Sequence, residues 1–404
     1  MIRLLLSEMY AAINMNETNR FSDQYDAICF SHLRWDFVWQ RPQHLMSRFA
    51  QDSRVFIFEE PIFEGEKAHY TIEQAATDLW VIKPRIPNTA TPLEVVEAQR
   101  SFLDEVIESH SIVSHISWYY TPMMYEWSRH LQPGAVIYDC MDELSGFLNA
   151  PEGIIQREAE LMNRADLVFT GGRSLYEAKK HRHENIYPFP SSIDFDHFYK
   201  ARRVADAPAD LRDIPGPRII FVGVIDERMD VGLLDQMASI EPACQFILIG
   251  PTVKIDQGIL PRRSNIHYLG QKKYDELPGY LGRCDVAIMP FALNESTRFI
   301  SPTKTPEYLA AGLPVISTPI YDVVHPYGEK ELVRIASTAE EFSRGIRASL
   351  IENADRRKAV ADDHLSGMSW DRTYGEMRSL IETTIARQIM PGSEMAAAGM
   401  TSAV

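Results

Sequence analysis

The sequence predicts an α/β protein built from two doubly wound halves, and three observations carry that prediction. Strand-like apolar runs alternate with helix-like periodic runs almost throughout, which is the pattern of parallel sheets covered by helices. The alternation is broken once, by "ADAPADLRDIPGP" at residues 205–217, a Pro- and Asp-rich stretch that reads as a linker. The length of 404 residues suits two or three domains.

Taken in order, residues 1–24 form an N-terminal extension and residues 25–204 a first Rossmann-like domain. The strands expected there are "DAICFS", "RVFIFE", "LWVIKP", "IVSHISW", "AVIYD" and "ADLVFT", with "TPLEVVEAQRSFLDEVIESH" as an intervening helix. After the linker a second Rossmann-like domain covers 218–366, with strands "RIIFVGV", "QFILIG", "NIHYLG", "DVAIMP", "PVIST" and "LVRIA". A final helix occupies 367–388, where Tyr374, Met377, Leu380 and Ile381 recur at helical spacing. Residues 389–404 are small and polar and read as a disordered tail.

Composition narrows the function classes. Apolar residues make up 45% and charged residues 24%, ordinary for a globular protein with a sizeable core. A net charge of −15 argues against broad nucleic-acid binding, which needs a basic face. Cys29, Cys140, Cys244 and Cys284 are scattered and form no CxxC pair, so neither a metal centre nor a disulfide framework is expected. A reducing cytoplasm fits. No apolar run reaches bilayer-spanning length, and "MIRLLLSEMYAAINMN" reads as an extension rather than a signal peptide.

In doubly wound folds ligands bind outside the carboxyl ends of the strands, so two halves imply a site in the cleft between them. "SHLRWDFVWQRP" follows the first strand and should face that cleft. Its aromatics either pack the strand–helix corner or offer flat faces to sugar rings. Arg34, Trp35, Asp36, Trp39 and Arg41 are the candidate acceptor-binding residues, and His32 is a candidate general base. "YDCMDE" ends another strand of the first half, which makes Asp142 a second catalytic candidate.

The densest chemistry lies in "STRFISPTKTPEYLAAGLPVIST". Ser301 suits a helix N-cap and Pro302 the first helical position, which places Thr303 and Lys304 in the first turn. A lysine there opposes the helix dipole unless an anion sits beside it. Glu307, one turn along, offers acceptors to vicinal hydroxyls. Phosphate plus diol describes a nucleotide. The plainer alternative is a capped helix with a surface Lys–Glu pair.

This segment resembles the donor-binding signature of GT-B glycosyltransferases of the family-4-like, retaining type. "RIIFVGVIDERMDVGLL", "PSSIDFDHF" and "MSWDRTYGEM" are similar to that family's second-domain start, pre-linker segment and final helix. "SHLRWDFVWQRP" and "WYYTPM" are similar to stretches of bacterial surface-polysaccharide enzymes. The resemblance implies a first domain that binds acceptor, a second that binds a UDP- or GDP-sugar, and a last helix that crosses back to the first domain. It assigns Glu307 to the ribose, Ser301, Thr303 and Lys304 to the diphosphate, Arg228 to phosphate, and Gly223 to close donor approach.

The first acid of the family's glutamate pair falls at Phe299, so Asn294, Glu295, Thr297 and Arg298 are the substitutes considered for gripping the donor sugar. The expected protein is a metal-independent transferase without a bound cofactor, acting on a glycan or lipid-linked acceptor. "KKHRH" at 179–183 is a solvated helix end or a contact for the inner membrane face. A sugar-nucleotide epimerase and a two-lobed sugar-binding protein are the alternatives.

Overall fold

The computed structural model describes residues 25–389. The extension expected at 1–24 lies outside the described residues, as does the tail from 390. Among the described residues, fifteen strands form two sheets. The first sheet contains β1 Asp26–Ser31, β2 Val55–Glu59, β3 Ile62–Phe63, β4 His69–Ala76, β5 Leu79–Ile86, β6 His115–Tyr119, β7 Ala135–Cys140, β8 Leu167–Thr170 and β9 Ile186–Pro188. The second contains β10 Arg218–Val222, β11 Gln245–Ile249, β12 Ile266–Gly270, β13 Val286–Met289, β14 Val315–Ser317 and β15 Val333–Ile335.

The second sheet is wholly parallel, with order β12-β11-β10-β13-β14-β15. The first has order β3-β5-β2-β1-β6-β7-β8-β9 and is parallel except where β4 folds back on β5. Its inner strands β1, β2, β6, β7 and β8 are buried on both faces, as helix-covered parallel sheets require. Ala27 and Cys29 of β1 enter one core cluster, whereas Ile28 and Phe30 enter the other. Both sheets reverse their winding direction beside the first strand of the half, between β1 and β6 and between β10 and β13. Ligands collect at such switch points, which here lie just beyond Ser31 and Val222.

Three features depart from the sequence expectation. Residues 62–76 include β3 and β4, an edge extension in which only Tyr70 and Ile72 pack on the core and the rest of β4 is mostly exposed. The short strand β9 was also not anticipated. The expected linker contains a helical turn, Ala209–Arg212, whose Leu211 is fully buried in the second lobe's core.

The last helix, Trp370–Ile389, returns to the first lobe. Trp370, Met377, Ile381 and Ile385 are buried in the first lobe's core. Burying a large apolar side chain contributes roughly 1.5–3 kcal/mol, so four of them fix the helix there. The Trp370 N–H donates to the Ile193 carbonyl at 3.3 Å, so the outgoing and returning segments touch. The four cysteines are buried free thiols. Among the described residues, no helix is long and apolar enough to cross a membrane.

Candidate active site

The loop after β1 is held by two residues that sequence reasoning did not single out. Glu59, fully buried at the end of β2, accepts the Trp35 N–H at 2.7 Å and an Arg34 Nη1–H at 3.0 Å. Gln43 donates to the carbonyls of Trp35 at 2.9 Å and Val38 at 3.1 Å, and accepts the Gln40 N–H at 2.9 Å. The turn is therefore shaped by side chains, which is why it contains no glycine. Arg34 also donates to the carbonyls of Glu60 and Pro61, so its guanidinium holds the loop while lining the cleft.

On the opposite side, the helix Lys304–Ala311 follows the loop after β13. Its cap is Thr303 with helical φ/ψ and no side-chain capping bond, which corrects the expectation that Ser301 caps it. Ser301 instead reaches the first lobe: its carbonyl accepts the Ser191 hydroxyl at 2.6 Å and its Oγ the Ser191 N–H at 3.4 Å.

The Lys304 side chain crosses Gly223, whose φ is +150°. A Cβ there would stand 2.8 Å from Lys304 Cε and 2.9 Å from Nζ. The ammonium lies 5.5 Å from the Phe221 ring centre and 5.4 Å from that of Phe291. Among the described residues it makes no hydrogen bond, and neither does the Glu307 carboxylate. Burial and the neighbouring Arg228 pull the lysine below its ordinary range. Burial raises Glu307 against the pull of Lys304. Both residues are half-buried and each pulls on the titration of the other, so a cation and a carboxylate free of hydrogen bonds stand one turn apart at the cleft, open to a ligand that engages both.

Two cavities open along the cleft, with Phe37 in the wall of each. The larger, about 790 Å³, is bounded by Gly223, Gly250 and Tyr274 of the second lobe and by Trp35, Asp36 and Trp39 of the first. Trp39 stacks on Tyr274 with centroids 5.5 Å apart and donates its indole N–H to His44 Nδ1 at 3.3 Å. Gln271 bonds the Phe37 carbonyl. The smaller cavity, about 460 Å³, brings together His32, Asp142, Asp226 and Arg228. Both volumes lie in the range of small-molecule sites.

Arg228 is oriented by Asp226, which accepts from Nε at 3.0 and 3.1 Å and from Nη2 at 2.6 Å. His32 keeps a buried Nδ1 without a hydrogen-bond partner. Burial, assisted by Lys254, lowers its pKa to about 4, so the ring is neutral at pH 7. Asp142 is raised by burial, while Arg228 pulls the other way.

Several sequence candidates do not survive as ligand contacts. Arg41 is 2% exposed; it grips Asp139 at 2.8–3.1 Å and donates to the Phe189 carbonyl at 2.7 Å, so it is a core cation and not an acceptor-binding residue. Thr297 is 1% exposed and its hydroxyl closes its own loop on the carbonyls of Ala292 and Asn294. Asn294 donates to the Glu227 carbonyl at 3.3 Å, and Glu295 pairs with Arg298 on the surface. Phe299 packs against the first lobe's core.

Trp35, Asp36 and Trp39 lie in the larger cavity with Gly223, apart from His32 and Asp142, and Asp36 pairs with Lys83. In the basic cluster, Lys179 is buried against Glu158 and His183 bonds the Ala165 carbonyl, whereas His181 and Arg182 are exposed and Arg182 reaches back to Glu158. Asp194 caps the helix Phe195–Tyr199. Among the described residues, no group of three or more His, Cys, Asp or Glu side chains could hold a metal ion.

Comparison with known proteins follows this geometry. Residues 216–352 match the family "Glycosyl transferases group 1". A Bacillus subtilis protein described as a teichuronic acid biosynthesis glycosyltransferase, TuaH, is 23% identical over 300 residues, covering 68% of this chain and 70% of that protein. A sucrose-phosphate synthase from Thermosynechococcus elongatus superposes with a TM-score of 0.67 at 14% identity, over 90% of this chain and 100% of that one. An E. coli trehalose-6-phosphate protein solved with UDP-2-fluoro glucose superposes with a TM-score of 0.66 at 11% identity, over 88% of this chain and 99% of that one. The chain is a glycosyltransferase with the GT-B fold, and its second lobe carries the glycosyl transferases group 1 domain.

Proposed function

We propose that this transferase moves a sugar from a UDP- or GDP-linked donor to a glycan or lipid-linked acceptor in bacterial surface polysaccharide synthesis, with retention and without a divalent metal. The observation that carries the reading is the Lys304 ammonium, half-buried, without a hydrogen bond among the described residues and set against Gly223 at the carboxyl end of β10. With Arg228 it supplies the positive charge a leaving nucleoside diphosphate needs as negative charge develops on it. Glu307 accepts hydrogen bonds from the ribose hydroxyls. His32, neutral and with an open Nδ1, binds a hydroxyl of the reacting sugar. Asp142, whose raised proton affinity suits the task, receives the proton of the acceptor hydroxyl. The surface-polysaccharide assignment is supported by the TuaH relative, and a uridine donor by the UDP-2-fluoro glucose bound in the E. coli structural neighbour.

The test is release of nucleoside diphosphate from a panel of sugar nucleotides, with and without excess chelator. Turnover of one donor, equal in chelator, supports the reading. Absence of turnover with every donor, or activity restored only by magnesium or manganese, would overturn it. Proton NMR of the product's anomeric centre decides retention.

A further inference from the structure

The smaller cavity contains a carboxylate the reading above leaves unused. Glu60 follows β2 at the strand's carboxyl end, one strand over from His32. Its backbone is pinned, because its carbonyl accepts Arg34 Nη1–H at 2.6 Å. Its side chain makes no hydrogen bond among the described residues, yet it is half-buried in the cavity wall. Burial raises its pKa, against the pull of Arg34 and Lys254. Lys254 enters the same cavity from the second lobe on a backbone of φ +60°, a left-handed conformation that a lysine rarely adopts. It too makes no hydrogen bond, and its Nζ lies 5.9 Å from the Phe147 ring centre.

The rest of the wall is apolar: Phe37, Phe147, Leu148 and Pro151 give flat and aliphatic surfaces. Unpaired acceptors beside apolar faces describe a site for a ring with hydroxyl edges and C–H faces. The Glu60 carboxylate is thus free to meet a ligand, whereas that of its fully buried neighbour Glu59 is taken up by Arg34 and the Trp35 N–H.

Resting on the transferase reading, we propose that Glu60 determines acceptor specificity: its carboxylate accepts from hydroxyls of the acceptor's hexopyranose ring, while Lys254 reaches the same ring from the second lobe. The acceptor is then held by both lobes at once. Of the donor cations, Lys304 lies outside this cavity, and Arg228 lines it but is held by Asp226 rather than by this pair, so donor binding is followed beside acceptor binding in each variant.

The probes are methyl glycosides of glucose, galactose, mannose and N-acetylglucosamine, offered with the donor that the wild type turns over. Glu60→Gln should raise the KM of the best glycoside at least tenfold, and Lys254→Met several-fold. Donor KM, slow donor hydrolysis by water and Tm should stay unchanged. Because Lys254 is exposed, its variant decides the matter should Glu60→Gln fold poorly. Acceptor KM within twofold of wild type in the well-folded variants would overturn the proposal, as would a parallel loss of donor affinity. So would a wild type that hydrolyses donor but neither binds nor uses any of the four glycosides. Absence of any donor turnover is a different result, because it would sink the transferase reading itself.

Discussion

Replacing Arg41 by Ala is the perturbation that best separates structure from substrate binding in this cleft. The side chains of Arg41 and Asp139 are 3% and 0% exposed, and the guanidinium makes three contacts to the carboxylate and one to the Phe189 carbonyl. Removing it strands a carboxylate in the core. Breaking one side of a buried pair costs about 3–5 kcal/mol. For a unit the size of the first lobe, at about 2–4 °C per kcal/mol, Tm should fall by about 6–20 °C.

The charge-free double variant Arg41→Met/Asp139→Leu should recover most of that loss, because a well-packed apolar pair often equals a buried ion pair. Scanning calorimetry of the wild type, Arg41→Ala and the double variant, with turnover measured below each Tm, completes the set. An Arg41→Ala protein that keeps its Tm within about 1 °C while losing turnover would refute the argument and return Arg41 to the substrate.

Gly223→Ala should force Lys304 aside and strain a backbone at φ +150°. About 1–3 kcal/mol of stability and roughly tenfold in nucleoside diphosphate affinity should be lost, and unchanged affinity by calorimetry would contradict the close approach. Glu307→Gln should weaken nucleoside diphosphate binding by about 1.5–3 kcal/mol. A 2′,3′-dideoxy analogue should bind wild type and variant equally, and a full loss with the analogue would place Glu307 elsewhere. Acidification should destabilise the fold, because His32, His44 and His115 are lowered to about 4, 3 and 4, chiefly by burial. Groups depressed in this way favour folding fully above the unfolded value of about 6.5, and that stability is lost as pH falls towards the folded values. Each histidine should contribute roughly 1–2 kcal/mol of loss between pH 7 and 5, read as a falling urea midpoint whose slope is shallower in His44→Phe.

The fold was readable wherever burial leaves a one-dimensional trace. Strands buried on both faces are continuous apolar runs, so β1, β2, β7, β10 and β11 are visible in sequence, as is the helical spacing of Met377 and Ile381. β4 leaves no such trace because it is mostly exposed and polar. In the site, Lys304 and Glu307 were legible because both lie within one turn of one helix. Arg41 was misread because its partner lies 98 residues away, and sequence cannot distinguish a cation facing a cleft from one facing a buried carboxylate. The same distance hid Glu59, whose roles with Arg34 and Trp35 depend on β1 and β2 being neighbours. Ser301 was assigned to a cap on local grounds, and its contact with Ser191 across 110 residues overrides them.

The touching outgoing and returning segments have a mechanical consequence. Two covalent connections lie side by side, joined by the Trp370–Ile193 bond, so the chain crosses between the lobes at one place, which would serve as the pivot of any swing. Ser191 lies two residues before Ile193 and carries Ser301, which leads directly into Lys304. Rotation at the pivot is thereby geared to the placement of the lysine. On the proposed reading, a diphosphate seated on Lys304 would pull directly on this joint. Nucleotide alone, without acceptor, would therefore change the radius of gyration measured by small-angle scattering.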